Sequence, residues 1–331
     1  MKRLFAALLG IALLLSLCAC GRETAPTPAL LLRYADNQPQ DYPTTKAAEY
    51  FAQLVEERSG GQIRIRVFAD ATLGDEISVF KQMQFGGIDF ARASVGTLAS
   101  FVPEMAVLQL PYLFEDAGHM WRVLDGEIGG ELLGTIESAD VVGLSWFDAG
   151  ARNIYTRVPV RSLDDLAGLT IRVQESDFMS RMIRLWGASP IQMPYGEVYS
   201  ALQTGQIDGA ENNWPSYEAT GHYEAAPYYL LDAHCRLPEA MLVSLVTLEK
   251  LRALDPSYEE LLLVCAQEAA EYERELWQAR ESASEALVRA SGCVVSELDE
   301  KELGRFREAL QPMYEGFPAP LQQLVERIRA S

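Results

Sequence analysis

Residues 187–212 read GASPIQMPYGEVYSALQTGQIDGAEN. Residues 195–204 have helical spacing, and 207–210 form a short strand that ends at Glu211 and Asn212. Upstream, 169–173 (LTIRV) is an apolar strand and 177–186 a helix. This order of strand, helix, helix and strand builds an α/β unit.

A second such unit precedes it. Residues 30–35 are a short apolar run, and 43–58 place Ala47, Ala48, Phe51, Leu54 and Val55 at helical spacing. Ile63, Ile65 and Val67 alternate with Arg64 and Arg66, as in a half-buried strand. A helix over 76–85 and a strand over 88–91 follow. The rhythm predicts parallel strands under helices. Residues 117–137 read as one helix, and 141–147 and 242–246 as buried strands.

The longest periodic segment is 256–291, where Leu261, Cys265, Ala269, Tyr272, Leu276, Ala279, Ala283 and Leu287 recur three or four apart. One helix of that length would reach about 50 Å, enough to lie along two lobes. Two helices broken near Ser282–Ser284 would also fit the pattern.

The chain has 331 residues, 49% apolar and 23% charged, which sets aside general disorder. Lys and Arg total 28 against 47 Asp and Glu, a net charge of -19. Nucleic acid and anionic membrane surfaces are therefore not natural partners. The three histidines, His119, His222 and His234, form no close pair, which argues against a His-rich metal site. Nucleophile-elbow, Walker and dinucleotide motifs are missing. Neither enzyme chemistry nor a cofactor is expected. Cys235, Cys265 and Cys293 match no metal spacing and read as free thiols.

Lys2 and Arg3 precede an apolar run that is too short to span a bilayer and has the shape of a signal peptide over 1–19. It ends in Leu17-Cys18-Ala19-Cys20-Gly21, similar to a bacterial lipobox, with Cys20 the better lipidation site and Cys18 its competitor. A plain cleaved signal peptide is the other reading. Residues 20–29, with two prolines, read as a tether.

Polar groups sit where strands end: Asn37, Asp75 and Glu76, Arg92 and Ser94, Arg152, Arg172, and Asn212 with Asn213. Open α/β sheets bind ligands beyond the carboxyl ends of their strands. Arg172 stands alone in an apolar strand, where it must meet an acid or face a cavity. Its planar fork matches a carboxylate, and a structural ion pair is the competing reading.

KAAEYFAQLVEERSGGQIRIRVF (46–68), LGDE (73–76), SLDDLAGLTIRV (162–173), the 187–212 stretch and HYEAAPYYLLDAH (222–234) together resemble a TRAP transporter solute-binding protein of the DctP type. The resemblance runs over nearly the whole mature chain. It implies a two-lobed α/β fold of the periplasmic-binding-protein (Venus flytrap) kind, with a long C-terminal helix spanning both lobes. Lobe I would comprise 30–149 plus 238–278, and lobe II 150–237 plus 279–331. It further implies that Arg172, Arg152 and Asn212 hold the ligand carboxylate. Asn37, Asp75, Glu76, Arg92, Ser94, Glu175, Tyr195, Asn213, Trp214 and His234 would contact the rest of the ligand. Trp214 could equally be core, and Arg92 a partner of Glu76.

The run DGAENNWPSY (208–217) is similar to the sugar-acid branch, binding hexuronates or aldonates. The implied role is an extracytoplasmic, lipid-anchored monomer that delivers a sugar acid to the membrane permease. A C4-dicarboxylate ligand, or presentation to a sensor kinase, are the alternatives.

Overall fold

The computed structural model describes residues 30–331. The signal segment, Cys18, Cys20 and the tether lie outside them. The described strands are β1 (Leu30–Ala35), β2 (Ile63–Phe68), β3 (Phe90–Ser94), β4 (Val141–Phe147), β5 (Ala151–Thr156), β6 (Thr170–Val173), β7 (Ser189–Gln192), β8 (Gly209–Asn212), β9 (Tyr228–Arg236), β10 (Glu239–Ser244) and β11 (Val294–Glu297).

They form two sheets, ordered β2-β1-β3-β10-β4 and β11-β9-β5-β8-β6-β7. The α/β class and the two-sheet, two-lobed design agree with the sequence reading. The alternation in β2 is real, with Ile63 and Ile65 buried and Arg64 and Arg66 exposed. Both sheets are mixed rather than purely parallel. β10 runs antiparallel to β3 and β4, and β5 runs antiparallel to β8 and β9. The reason is that β4 leaves the first sheet directly into β5, and β9 returns directly into β10. Only Asp148-Ala149-Gly150 and Leu237-Pro238 lie between those strands.

Gly150 sits at φ 59 in the first crossing, where an added Cβ would lie 2.6 Å from Glu281 Oε1. A larger residue there would be strained at this φ and would have to displace Glu281 and crowd Trp277 on the long helix.

Several element boundaries shift, and the shifts matter for function. The third strand is Phe90–Ser94, so Arg92 and Ser94 lie on it rather than in a loop beyond it. Arg152 is likewise the second residue of β5, and Asn212 the last of β8. The strand expected over 242–246 begins at Glu239. The single helix over 117–137 is two, Ala117–Leu124 and Glu127–Thr135. At Gly129 an added Cβ would come within 1.9 Å of the Leu124 carbonyl, so the second helix folds back closely on the first.

The long helix is unbroken, Ser257–Ala290, 34 residues. Its buried stripe is Leu262, Cys265, Ala266, Ala269, Ala270, Glu273, Trp277, Ser284 and Val288. Tyr272 and Leu287, which share the helical spacing, are exposed. The true stripe contains Glu273 and Ser284, polar residues that hide it from a hydrophobic count. Arg274 pairs with Asp125, and Arg280 with both Asp41 and Glu218, so the helix is tied to segments leading into each sheet. Cys235 and Cys265 are buried free thiols and Cys293 is a half-buried one.

Candidate functional site

A cavity of about 220 Å³ opens between the two sheets. It lies at the carboxyl ends of β1, β3, β6 and β8, where an open α/β sheet presents its ligand site. Ten of the residues singled out from sequence line it: Arg172, Arg152, Asn212, Asn37, Asp75, Glu76, Arg92, Ser94, Glu175 and Tyr195.

Arg172 is 3% exposed. Its Nε and one Nη donate to the Met193 carbonyl at 2.9 and 2.6 Å. Among the described residues it forms no salt bridge. Burial lowers its affinity for the proton, and nearby Arg152 acts in the same direction. A buried guanidinium without a counterion is costly unless something else supplies the charge.

Arg152 is placed differently. It donates to both carboxylate oxygens of Glu211, to the Glu211 carbonyl at 2.8 Å and to Asn212 Oδ1 at 2.9 Å. Behind Glu211 stands His234, 3.5 Å away, whose Nδ1 meets Asp232 at 2.8 Å. Burial alone would raise the Glu211 carboxyl, but Arg152 and His234 overcome it and hold it at about 2. Burial would lower His234, yet Asp232 and Glu211 lift it to about 9. Two cations and two carboxylates thus balance one another in this wall. Arg172 remains as the uncompensated charge.

The opposite wall has the reverse sign. Arg92 donates to Asp36 at 3.2 Å, to Glu239 at 3.0 Å, and to Glu76 and Asn37. Glu76 also accepts from Ser94 Oγ at 2.6 Å, Thr97 Oγ1 at 2.7 Å and Asn37 Nδ2 at 3.1 Å. Burial opposes its ionisation, but Arg92 and these donors keep it below the usual range. One guanidinium therefore serves three carboxylates, and Arg92 has no donor face left for a second ligand carboxylate. At the rim, burial and Asp75 raise Glu175.

Three expected contacts are not in the cavity wall. Asn213 caps the helix Trp214–Ala219, accepting from Ser216 N at 2.8 Å and donating to the Ala149 carbonyl at 2.9 Å. Asn followed by Trp-Pro is an N-cap with proline in the first turn, a signal present in the sequence. Trp214 stacks on Tyr229, centroids 3.8 Å apart, and is core. His234 is fully buried behind Glu211.

The wall also contains residues that sequence reasoning passed over: Gln38, Thr97, Gln174, Glu197, Ser216 and Glu239. Three of them leave a buried polar atom without a partner, namely Gln38 Oε1, Gln174 Nε2 and Glu239 Oε2. Buried polar atoms are nearly always satisfied, so these three set this wall apart from an ordinary packed core. Gln174 reaches the cavity over Gly96, where an added Cβ would lie 2.4 Å from its Cδ.

Residues 34–319 match the model of the bacterial extracellular solute-binding proteins, family 7. The chain belongs to this family. Its relatives include a solute-binding protein of Chromohalobacter salexigens, 39% identical over 280 residues, covering 84% of this chain and 82% of the relative. Two solved structures are similar over 91% of this chain. A TRAP periplasmic solute-binding protein from Xanthobacter autotrophicus Py2, holding β-D-galacturonate, is 40% identical with a TM-score of 0.87 and is covered over 99% of its length. One from Pseudomonas putida F1, holding D-glucuronate, is 39% identical with a TM-score of 0.87 and is covered over 97%. The two-lobed TRAP solute-binding fold is thereby shared, and the family places the chain among substrate-binding components of transport.

Proposed function

We propose that this family 7 protein captures a sugar acid, of the hexuronate or aldonate class, in the cleft between its lobes and delivers it to a TRAP permease. The observation that carries the reading is Arg172, buried at the cavity wall with no carboxylate of its own. The ligand carboxylate takes the fork of Arg172, with Arg152 and Asn212 beside it. Charge-assisted bonds of this kind contribute about 1.5–3 kcal/mol each.

The rest of the ligand then meets a wall of excess acid. Hydroxyl groups both donate and accept, so a polyol suits that wall. A second carboxylate does not, because Arg92 is already shared by Asp36, Glu76 and Glu239. The hexuronates held by two similar proteins support the same ligand class.

Lobe I comprises 30–149 plus 238–278 and lobe II 150–237 plus 279–331 in this reading, with the two short crossings as hinges. Closure of the lobes excludes water and strengthens the ionic contacts. The lipobox supports anchoring through Cys20 on the outer face of the cell membrane, and the protein acts as a monomer.

Thermal-shift screening against uronates, aldonates and C4-dicarboxylates tests the reading, since a ligand that binds only the folded state raises its Tm. Shifts with sugar acids and none with dicarboxylates are expected. The opposite ranking overturns it.

A further inference from the structure

A second cavity, of about 460 Å³, shares no lining residue with the solute cleft. Its walls are the segment 111–115, the end of β9, and three C-terminal helices, Glu300–Ala309, Gln311–Glu315 and Ala319–Arg329. Three arginines line it, Arg236, Arg307 and Arg329, and none of them is salt-bridged among the described residues. We propose that this cavity is a second binding site, for a small organic dianion with an apolar body.

Two of the guanidiniums lie over aromatic rings. Arg307 Cζ is 5.1 Å from the centroid of the Tyr112 ring, and Arg329 Cζ 4.4 Å from that of Tyr314. The two stacks are neighbours, because Tyr314 Oη donates to the carbonyl of Pro111, the residue before Tyr112. A guanidinium over a ring face uses its flat surface there and keeps its N–H donors in its own plane. Arg307 and Arg329 are exposed residues, so those donors are accessible to a ligand.

The backbone beneath them is strained. Tyr112 is held at φ 56 and Ala233 at φ 43. Tyr112 N donates to the His234 carbonyl at 2.8 Å, which fastens the two strained positions together. A bulky residue at positive φ is an outlier, and such strain gathers at functional sites.

Opposing charge is scarce. Glu115 is an exposed wall residue. Asp232 is buried and engaged, accepting from Ile154 N at 3.1 Å and meeting His234 Nδ1 at 2.8 Å. Asp116 and Glu281 interact with Arg236 only from beyond ion-pair distance. In a chain of net charge -19, such a local excess of cation attracts an anion. Half-buried Leu231, Leu298 and Leu303 supply an apolar floor. Inorganic phosphate leaves that floor unused. An aryl phosphate or an aromatic dicarboxylate covers it while setting its anionic oxygens on the arginine donors. The same net charge sets aside a headgroup presented by an anionic membrane.

The test is calorimetry of phenyl phosphate, isophthalate, inorganic phosphate and benzyl alcohol against the lipid-free chain, Arg307→Gln, Arg329→Gln, the double variant and Arg172→Ala. At least one of the two aromatic dianions is expected to bind with a Kd below about 1 mM, inorganic phosphate about tenfold more weakly, and benzyl alcohol not measurably. Each single glutamine variant should lose about tenfold and the double variant all measurable binding. Circular dichroism and D-glucuronate affinity should be unchanged in the double variant. Dianion binding should persist in Arg172→Ala, which separates this site from the cleft.

No binding of either dianion, or binding that survives in the double variant, overturns the proposal. So does binding that vanishes in Arg172→Ala, since the probe then occupies the solute cleft. Inorganic phosphate as tight as phenyl phosphate and isophthalate removes the apolar body. Binding of hexaglutamate where both dianions fail makes the cavity a docking point for an acidic protein segment and overturns the small-ligand reading.

Discussion

Arg172 gives two of its donors to one acceptor, the Met193 carbonyl, at 2.9 and 2.6 Å. That carbonyl fixes the plane of the guanidinium without neutralising it. The remaining edge is thus oriented before any ligand arrives, which lowers the entropy lost on binding.

Replacing it should separate affinity from folding. Arg172→Ala is expected to weaken sugar-acid binding by at least about 100-fold, the loss of two charge-assisted bonds. Arg172→Lys should lose nearly as much, because one ammonium cannot hold the Met193 carbonyl and a carboxylate in a common plane. Calorimetry checks the affinity and circular dichroism the fold; wild-type affinity in either variant contradicts the account.

Trp214 makes the opposite prediction. Its ring stacks on Tyr229 at 3.8 Å and touches no cavity surface. Trp214→Ala should cost about 3–5 kcal/mol of stability. Solute affinity of the folded protein should change by less than about threefold. Urea unfolding and calorimetry on the same sample separate the two effects. A large affinity loss at unchanged stability would return Trp214 to the ligand.

These two residues show what the sequence discloses. Arg172 is legible because a lone cation in an apolar strand has few places to go. Arg152 carries a weaker mark, since its strand β5 has no clear apolar pattern and only its place after the 141–147 strand and the family resemblance point to it. Asn213 is read as a ligand contact because an amide beside a binding motif looks like one, whereas Trp214, open between ligand and core in the sequence, is core. The cap that consumes Asn213 is local and legible in Asn-Trp-Pro, whereas the Tyr229 face that covers Trp214 is a tertiary fact. Glu239 and Gln174 are invisible for a different reason. Their place in the cavity wall depends on how the strands and loops of the two sheets come together, and local sequence does not record that. The long helix itself is legible from its spacing, and only its buried face is missed, because Glu273 and Ser284 are buried for reasons other than hydrophobicity.

Gly96→Ala tests the far wall without removing any polar group. The new Cβ would lie 2.4 Å from Gln174 Cδ, so the flexible amide must swing away. Stability should hardly change, and sugar-acid affinity should fall about fivefold, the loss of one neutral hydrogen bond. Gln174→Ala should produce a similar loss, and the double variant little more than either alone. Additive losses would show that Gly96 acts by another route.

Stability should depend on pH through the buried cluster behind Arg152. His234 is raised from its ordinary 6.5 to about 9 by Asp232 and Glu211 against the effect of burial. The folded protein therefore binds more protons than the unfolded chain between those values. This stabilisation is complete below about pH 6.5 and is lost as pH rises through about 9. Urea unfolding between pH 7 and 9.5 should show that decline, and His234→Gln should be less stable at pH 7 and flatter across the window. A variant with the wild-type slope would mean that His234 is neutral.

The central claim is that one carboxylate is held by Arg172 while hydroxyl groups satisfy the acid-rich wall around Arg92. Its most direct measurement is calorimetry at pH 6.5 of D-glucuronate, D-galacturonate and D-gluconate against succinate and malate. At least one sugar acid should bind 100-fold or more tightly than either dicarboxylate, because a second carboxylate would face the ionised Glu76 with Arg92 already engaged. Tighter binding of succinate or malate than of all three sugar acids would contradict the account.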